Sequence, residues 1–149
     1  HRSTHTHTDP HTHTQIAQKS SNAKKNLFYC DDFQTKTKII FVIDFGLSKS
    51  FINPETGEHI AMRKIDHYIG TVRYMSLNAH QRQELSRRDD LEAIAYVLLY
   101  FLRQGKLPWS GFRGLTLKEH YEKIYKYKYS IPIETLCHGF PVEFANLLR

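Results

Sequence analysis

Residues 86–102, SRRDDLEAIAYVLLYFL, predict the central helix of the fold. Ser86 stands at an N-cap position, and Asp89 follows three residues later, where an acidic side chain completes a capping box. Gly105 and Pro108 are expected to end the helix. Because apolar side chains recur on both sides, we expect it to be buried nearly all round. They are Leu91, Ile94, Ala95, Leu98, Leu99 and Leu102 on one side and Ala93, Val97 and Phe101 on the other.

Further elements are predicted on both sides of this helix. The apolar, β-branched run at residues 39–43 predicts a buried strand, and residues 53–57 (NPETG) predict a turn. Thr116 and Glu119 form a second capping-box pattern, and Pro141 suits the first position of a third helix. The second helix is expected to pack through one face, formed by Leu117, Tyr121, Ile124 and Tyr125.

The composition is typical of a globular domain. Of the 149 residues, 40% are hydrophobic and 24% charged, enough for one hydrophobic core. The longest apolar run has ten residues (93–102), too short to span a bilayer, so no transmembrane segment is expected. Cys30 and Cys137 lack metal-ligand spacing, and without a signal peptide we expect an intracellular protein, cytoplasmic or nuclear. The net charge of +6 favours anionic partners.

The N-terminal part differs in composition from the rest. Residues 1–14 alternate mostly between His and Thr, and we predict a low-complexity, disordered tail over residues 1–37, with residues 27–29 as a candidate short strand. Residues 38–149 are predicted to form the folded domain. His5, His7, His11 and His13 could chelate a metal ion loosely, but we favour a tail that derives from a sequence repeat and has no metal site.

The chemical signals begin at the end of the predicted strand, with Asp44, Phe45 and Gly46. A carboxylate at a strand end can hold Mg²⁺, which bridges nucleotide phosphates. Alone, however, Asp-Phe-Gly is also an ordinary turn. Four further segments follow in order: GTVRYMSLN at 70–78, SRRDDLEA at 86–93, LPWSG at 107–111 and PIETLC at 132–137.

In order and spacing, these motifs resemble the casein kinase 1 family of serine/threonine protein kinases over roughly residues 39–149. Residues 76–78 (Ser-Leu-Asn) stand where that family has Ser-Ile-Asn and most kinases have Ala-Pro-Glu. The resemblance implies a mainly α fold of the α+β class, an incomplete protein-kinase-like C-terminal lobe. It also implies transfer of the ATP γ-phosphate to Ser or Thr of acidic or pre-phosphorylated proteins.

The resemblance assigns catalytic and structural roles by position. Asp44 matches the Mg²⁺ ligand, and Phe45, followed by Gly46, matches the aromatic that packs against a neighbouring helix. Thr71 matches the threonine that hydrogen-bonds the catalytic aspartate. Asp90 matches the buried acid of the central helix.

The resemblance also places an anion-binding corner on the chain. Arg73 matches a basic residue that recognises an acidic or phosphorylated side chain, a task that suits a guanidinium. Gly111 falls in the same corner, where bare backbone can approach the anion. His120 stands where family members often have Lys or Arg, which weakens the site. Trp109 is expected to anchor the core beneath this loop.

Several kinase parts are missing from the sequence. No glycine precedes Gly46, and we find neither a strand lysine of the expected kind nor His-Arg-Asp. Asn26 is a weak match to the catalytic-loop asparagine, but Ser21 and Ala23 fall where the catalytic Asp and Lys should be. We therefore expect a truncated, inactive fragment that does not bind ATP and Mg²⁺ by itself.

Two other functions fit parts of the sequence. A non-catalytic, pseudokinase-like module could hold acidic or phosphorylated peptides through Arg73 and Gly111. A nucleic-acid binder is suggested by Arg87, Arg88 and the Tyr-Lys alternation at 125–129. For that alternation we favour packed tyrosines with solvated lysines, and for the arginines solvated or ion-paired side chains. Nucleic acid is therefore not the expected partner.

Overall fold

The computed structural model describes residues 27–31, 38–42 and 45–149, with side chains from Phe45 onward. The chain divides into two compact units, His1–Ser48 and Lys49–Arg149. The predicted division into a tail over residues 1–37 and a folded domain over residues 38–149 stays a prediction.

The first unit contains an antiparallel pair of strands. β1 (Leu27–Asp31) pairs with β2 (Lys38–Val42), with Leu27 opposite Val42. β2 is the predicted strand shifted by one residue, and β1 extends the candidate strand at 27–29. Because β2 pairs with β1, β2 belongs to the first unit, which ends at Ser48. A 3₁₀ turn follows at Phe45–Leu47.

The second unit is helical, and the prediction of a mainly α chain is confirmed for the described residues. It contains α1 (Leu77–His80), α2 (Arg87–Leu102), α3 (Leu117–Ser130), α4 (Ile133–Leu136) and α5 (Val142–Leu147). The capping boxes predicted for α2 and α3 are present. Pro141, predicted at the first position of a helix, stands one residue earlier, at the N-cap position of α5. The sequence missed α1 and α4 because four residues are too few to show a helical period.

The core of this unit lies where α1, α2 and α3 meet the loops before α1 and after α2. Trp109 is 1% exposed, which confirms it as a core anchor. The other buried apolar side chains are Tyr74, Met75, Ala79, Ala95, Tyr96, Leu99, Leu107, Ile124, Leu136, Cys137 and Ala145.

The prediction that α2 is buried nearly all round is wrong. Ala95, Tyr96 and Leu99 are buried on one side, whereas the opposite side is exposed. Of the described elements, α1 and α5 pack on α2. The exposed apolar side chains of α2 are Leu91, Ile94, Leu98, Phe101 and Leu102.

The predicted packing face of α3 is also only partly correct. Ile124 is buried, and Tyr121 and Tyr125 are half-buried, but Leu117 is exposed because it lies in the first turn, before α3 reaches the core. Lys128 is buried in the last turn instead.

The loop before α1 contains the predicted turn. Gly57 N–H donates to Asn53 O at 2.9 Å, and Gly57 has a positive φ of 71°, in the left-handed region that favours glycine. Asn53 Oδ1 accepts from Glu55 N–H at 2.9 Å, so the side chain closes the same turn.

No helix within the described residues has both the length and the apolarity needed to cross a bilayer.

Candidate anion-binding site

The segment that presents Arg73 is a tight turn. Thr71 O accepts the N–H groups of Tyr74 (2.8 Å) and Met75 (3.0 Å). Arg73 is half-buried, and its guanidinium lies 5.6 Å from the ring centre of Tyr100 and 5.9 Å from that of Tyr74. Burial raises the pKa of Tyr74, and the positive Arg73 opposes that rise. The two rings hold the arginine by cation–π contact.

A hydrogen bond joins this segment to the turn that follows α2. Trp109 Nε1 donates to Arg73 O at 2.8 Å, and the indole packs edge-on against Tyr96 with ring centres 5.3 Å apart. Residues 109–114, which we call the 109–114 turn, therefore start directly beside the backbone of Arg73.

The other end of the 109–114 turn lies against α3. A Cβ on Gly114 would stand 2.4 Å from the backbone nitrogen of His120, so only glycine fits there. Gly111 is exposed between the two ends, and a Cβ there would meet no described atom within 4 Å. The structure thus brings the backbones of Arg73 and His120 to opposite ends of a turn that contains Gly111.

Lys128 also holds this segment in place, a role that no sequence pattern indicated. Its Nζ donates to Met75 O at 2.7 Å and to Val72 O at 3.3 Å. The ammonium lies 4.5 Å from the ring centre of Tyr96 and 5.0 Å from that of Trp109. The backbone around Arg73 is therefore held by both α3 and the 109–114 turn.

The favoured interpretation of the Tyr-Lys alternation is only partly right. Tyr127 packs edge-on against Phe112 with ring centres 5.1 Å apart, as expected. Lys128, in contrast, is buried, and burial lowers its pKa to about 7, while the negative Glu92 acts in the opposite direction. Because Tyr127 and Lys128 both point into the protein, neither can stack on a base or pair with a phosphate.

The buried acid of α2 is Asp89, and the prediction for Asp90 is corrected. Asp90 is exposed, whereas Asp89 accepts hydrogen bonds from Ser76 Oγ (2.7 Å), Asn78 Nδ2 (3.1 Å) and Ser86 N–H (2.8 Å). One residue corresponds to about 100° around a helix, and Asp89 is the carboxylate that faces α1. Partial burial raises the pKa of Asp90, and the negative Asp89 adds to the effect.

A second acid of α2 completes the attachment of α1. Glu92 Oε1 accepts Leu77 N–H at 2.9 Å and Tyr96 O–H at 2.8 Å. Ser76, the N-cap of α1, accepts Ala79 N–H at 3.0 Å. The free N–H groups at the start of α1 thus find partners, which explains how so short a helix persists.

Glu84 is a further buried carboxylate that the sequence did not single out. It forms ion pairs with Lys49 and, at 2.9 Å, with Arg63 Nε, and its own N–H donates to Arg63 O at 2.8 Å. These contacts fasten the long loop before α1 to the connection between α1 and α2.

Asp44 and Asn26 lie outside the described residues. Thr71 is exposed and contributes its carbonyl to the turn before Arg73. Phe45 and Gly46 are exposed in the 3₁₀ turn, and the packing of Phe45 on a helix stays a prediction.

Between residues 45 and 149, no group of three His, Cys, Asp or Glu side chains is placed to hold a metal ion. No model of a known protein family matches the chain.

Proposed function

We propose that the chain is part of a casein kinase 1-like serine/threonine protein kinase, and that its second unit is a kinase-like C-lobe that binds acidic or phosphorylated protein segments. The observation that carries this proposal is the bond from Trp109 Nε1 to Arg73 O, which holds Arg73 beside the 109–114 turn. Gly114 places the other end of that turn against His120.

The chemistry of Arg73 suits an anionic ligand. Tyr74 and Tyr100 contact the guanidinium, a group whose planar array of N–H donors can form two parallel hydrogen bonds to phosphate or carboxylate. Because the rings already restrict the side chain, binding costs less conformational entropy than it would for an unrestrained arginine. Exposed backbone at Gly111 leaves space for the ligand beside the turn.

The described residues do not fit an ATP site. Such a site needs a glycine-rich cradle for the phosphates and a lysine that reaches them. No glycine precedes Gly46, and the buried Lys128 already bonds two backbone carbonyls. We therefore derive no phosphoryl-transfer step from these residues. A non-catalytic module that binds phosphopeptides is the alternative, and it would use the same turn.

Fluorescence anisotropy with a labelled, acidic phosphoserine peptide and its unphosphorylated twin tests the proposal. We expect the phosphopeptide to bind more tightly, and Arg73→Gln to weaken it by about tenfold or more, the usual effect of losing a charged hydrogen bond. Arg82→Gln is the matched control, since its guanidinium also lies over a tyrosine ring, that of Tyr68, at 5.8 Å. Equal binding of both peptides, or an equal loss in both variants, would contradict the proposal.

A gain-of-function variant tests the other end of the turn. His120→Lys adds a permanent positive charge at a half-exposed position, and we expect the phosphopeptide affinity to rise severalfold and to become more sensitive to salt. Unchanged affinity in this variant would show that the ligand does not reach His120.

A further inference from the structure

The loop that leads into α3 exposes two leucines close together. Leu115 is 98% exposed, more than any other large apolar side chain between residues 45 and 149, and Leu117 is 68% exposed. Single exposed leucines are common on protein surfaces, but two within three residues at the tip of a loop form an apolar projection. We call residues 113–118 the leucine loop.

Two backbone N–H groups of the leucine loop are already paired. Glu119 Oε2 accepts Leu115 N–H at 2.9 Å and Thr116 N–H at 3.2 Å, while Glu119 N–H donates to Thr116 Oγ1 at 3.1 Å. Entry into an apolar medium is costly for unpaired N–H groups, and these two are paired. The close approach of Gly114 to α3 also fixes the base of the loop, so the tip loses little freedom on binding.

Basic side chains flank this apolar tip along the chain. Arg113, Lys118 and Lys123 are exposed, and Lys118 has only a distant ion pair with Glu122, at 3.8 Å. The nearest other acid, Glu119, is committed to the loop backbone. The whole chain has 21 basic and 15 acidic residues, so its average charge also favours an anionic surface.

We propose that the leucine loop inserts Leu115 and Leu117 into the headgroup region of an anionic phospholipid bilayer, while Arg113, Lys118 and Lys123 contact the lipid phosphates. A small apolar tip flanked by basic residues suits a lipid interface, because a bilayer can accommodate an apolar side chain without a preformed pocket. A protein interface of high affinity more often centres on large aromatic or arginine side chains seated in pockets. Leu115 and Leu117, which carry the insertion, lie outside the 109–114 turn, whereas Arg113 belongs to it, so substitutions at the leucines are the ones that separate lipid binding from peptide binding.

Vesicle co-sedimentation with the full chain tests this insertion. The vesicles contain phosphatidylcholine alone or phosphatidylcholine with 30% phosphatidylserine. We expect binding to the anionic vesicles, and a loss of about tenfold in partitioning for Leu115→Ser, from the apolar surface removed. Arg113→Gln and Lys118→Gln should each cost about fivefold. Val142→Ser is the matched control: Val142 is 62% exposed on α5 between Pro141 and Glu143, and its replacement should change nothing.

A fluorescent variant separates insertion from adsorption. The chain has a single tryptophan, Trp109, which is buried. Leu115→Trp therefore adds one exposed indole, whose emission should shift to shorter wavelength on anionic vesicles and be quenched by brominated lipid chains. Leu115 is fully exposed in the protein, so thermal melts of Leu115→Ser and Leu115→Trp should match that of the unaltered chain.

Several outcomes would overturn the inference. They are an absence of binding to the anionic vesicles, equal binding to neutral vesicles, unchanged binding of Leu115→Ser, or an unshifted emission of Leu115→Trp. Arg73→Gln distinguishes the anion-binding site from the leucine loop. If Arg73→Gln abolishes vesicle binding while Leu115→Ser preserves it, the lipid contact belongs to the Arg73 site and the leucine loop has no part in it. Loss of phosphopeptide binding in Arg73→Gln with intact vesicle binding would support both proposals separately.

Discussion

The N-termini of α2 and α3 have the same motif and different structural roles. Each begins with a hydroxyl residue, Ser86 or Thr116, followed three residues later by an acid, Asp89 or Glu119. In each case the carboxylate accepts the N–H of the capping residue, at 2.8 Å in α2 and 3.2 Å in α3. Locally the two are equivalent, as the sequence predicts.

The difference lies in what else each carboxylate contacts. Asp89 is buried and also accepts hydrogen bonds from Ser76 and Asn78, so it joins α1 to α2. Glu119 is exposed, and its other partner is the N–H of Leu115 in the adjoining loop. One carboxylate therefore supports tertiary structure, whereas the other supports only its own loop.

The largest expected effect comes from Asp89→Ala. It leaves Ser76, Asn78 and the N–H of Ser86 without their acceptor, and we expect the free energy of unfolding to fall by about 3 kcal/mol. Urea unfolding followed by circular dichroism measures this loss. Asp90→Ala removes the neighbouring, exposed carboxylate and should change the stability by less than about 0.5 kcal/mol. Equal losses in the two variants would contradict the role assigned to Asp89.

The next effect concerns the opposite end of α1, where His80 contacts α3. Its ring is buried between Tyr125 (5.9 Å) and Tyr121 (6.2 Å), and its nitrogens have no hydrogen-bond partner among the described residues. Burial lowers the pKa of His80 to about 3, and the positive Lys128 contributes to the shift. Charging this ring therefore opposes folding.

The sign of the pH dependence follows from this depressed pKa. The unfolded chain takes up the His80 proton near pH 6.5 and the folded chain does not, so stability is lost as the pH falls below about 6.5. The slope due to His80 is about 1.4 kcal/mol per pH unit, so the free energy of unfolding should be lower by about 2 kcal/mol at pH 5. Urea unfolding at pH 7, 6 and 5 should show this component in the unaltered chain and in the control His138→Gln. His80→Gln should lose it, and an unchanged slope there would show that another group is responsible.

The smallest effect is expected for Glu119→Ala. The variant removes the acceptor for two exposed N–H groups, and we expect a loss of about 1 kcal/mol, typical of a helix cap. Glu122→Ala, one turn further along the exposed face of α3, should cost much less because its ion pair with Lys118 is long and solvated. Urea, which is uncharged, is the denaturant for comparing the two variants, because it does not screen the ion pair of Glu122. A loss as large as that of Asp89→Ala would remove the distinction between the two caps.

Local signals in the sequence were therefore reliable, and signals that depend on partners were not. Both capping boxes, the turn at 53–57 and the anchor Trp109 could be predicted, because each depends on residues within a few positions or on size and apolarity. The exposed side of α2 could not be predicted, because the apolar pattern of a helix does not specify which of its sides the neighbouring elements cover.

The same limit applies to the candidate site. A lysine in a Tyr-Lys alternation is normally solvated, and the burial of Lys128 depends on the carbonyls of Val72 and Met75, more than fifty residues away, which accept its hydrogen bonds. Likewise, the choice between Asp89 and Asp90 depends on where α1 lies, which no pattern within α2 specifies.

The segment that carries Arg73 is held by three distant parts of the chain. Trp109 donates a hydrogen bond to the carbonyl of Arg73, and Lys128 donates to the carbonyls of Val72 and Met75. Asp89 accepts a hydrogen bond from the side chain of the adjoining Ser76. Because these contacts act on one short stretch of backbone, their contributions to its position are not independent. The effect of a substitution at Trp109 will thus depend on which residue occupies position 128, an epistasis between two residues that a comparison of single variants would not reveal.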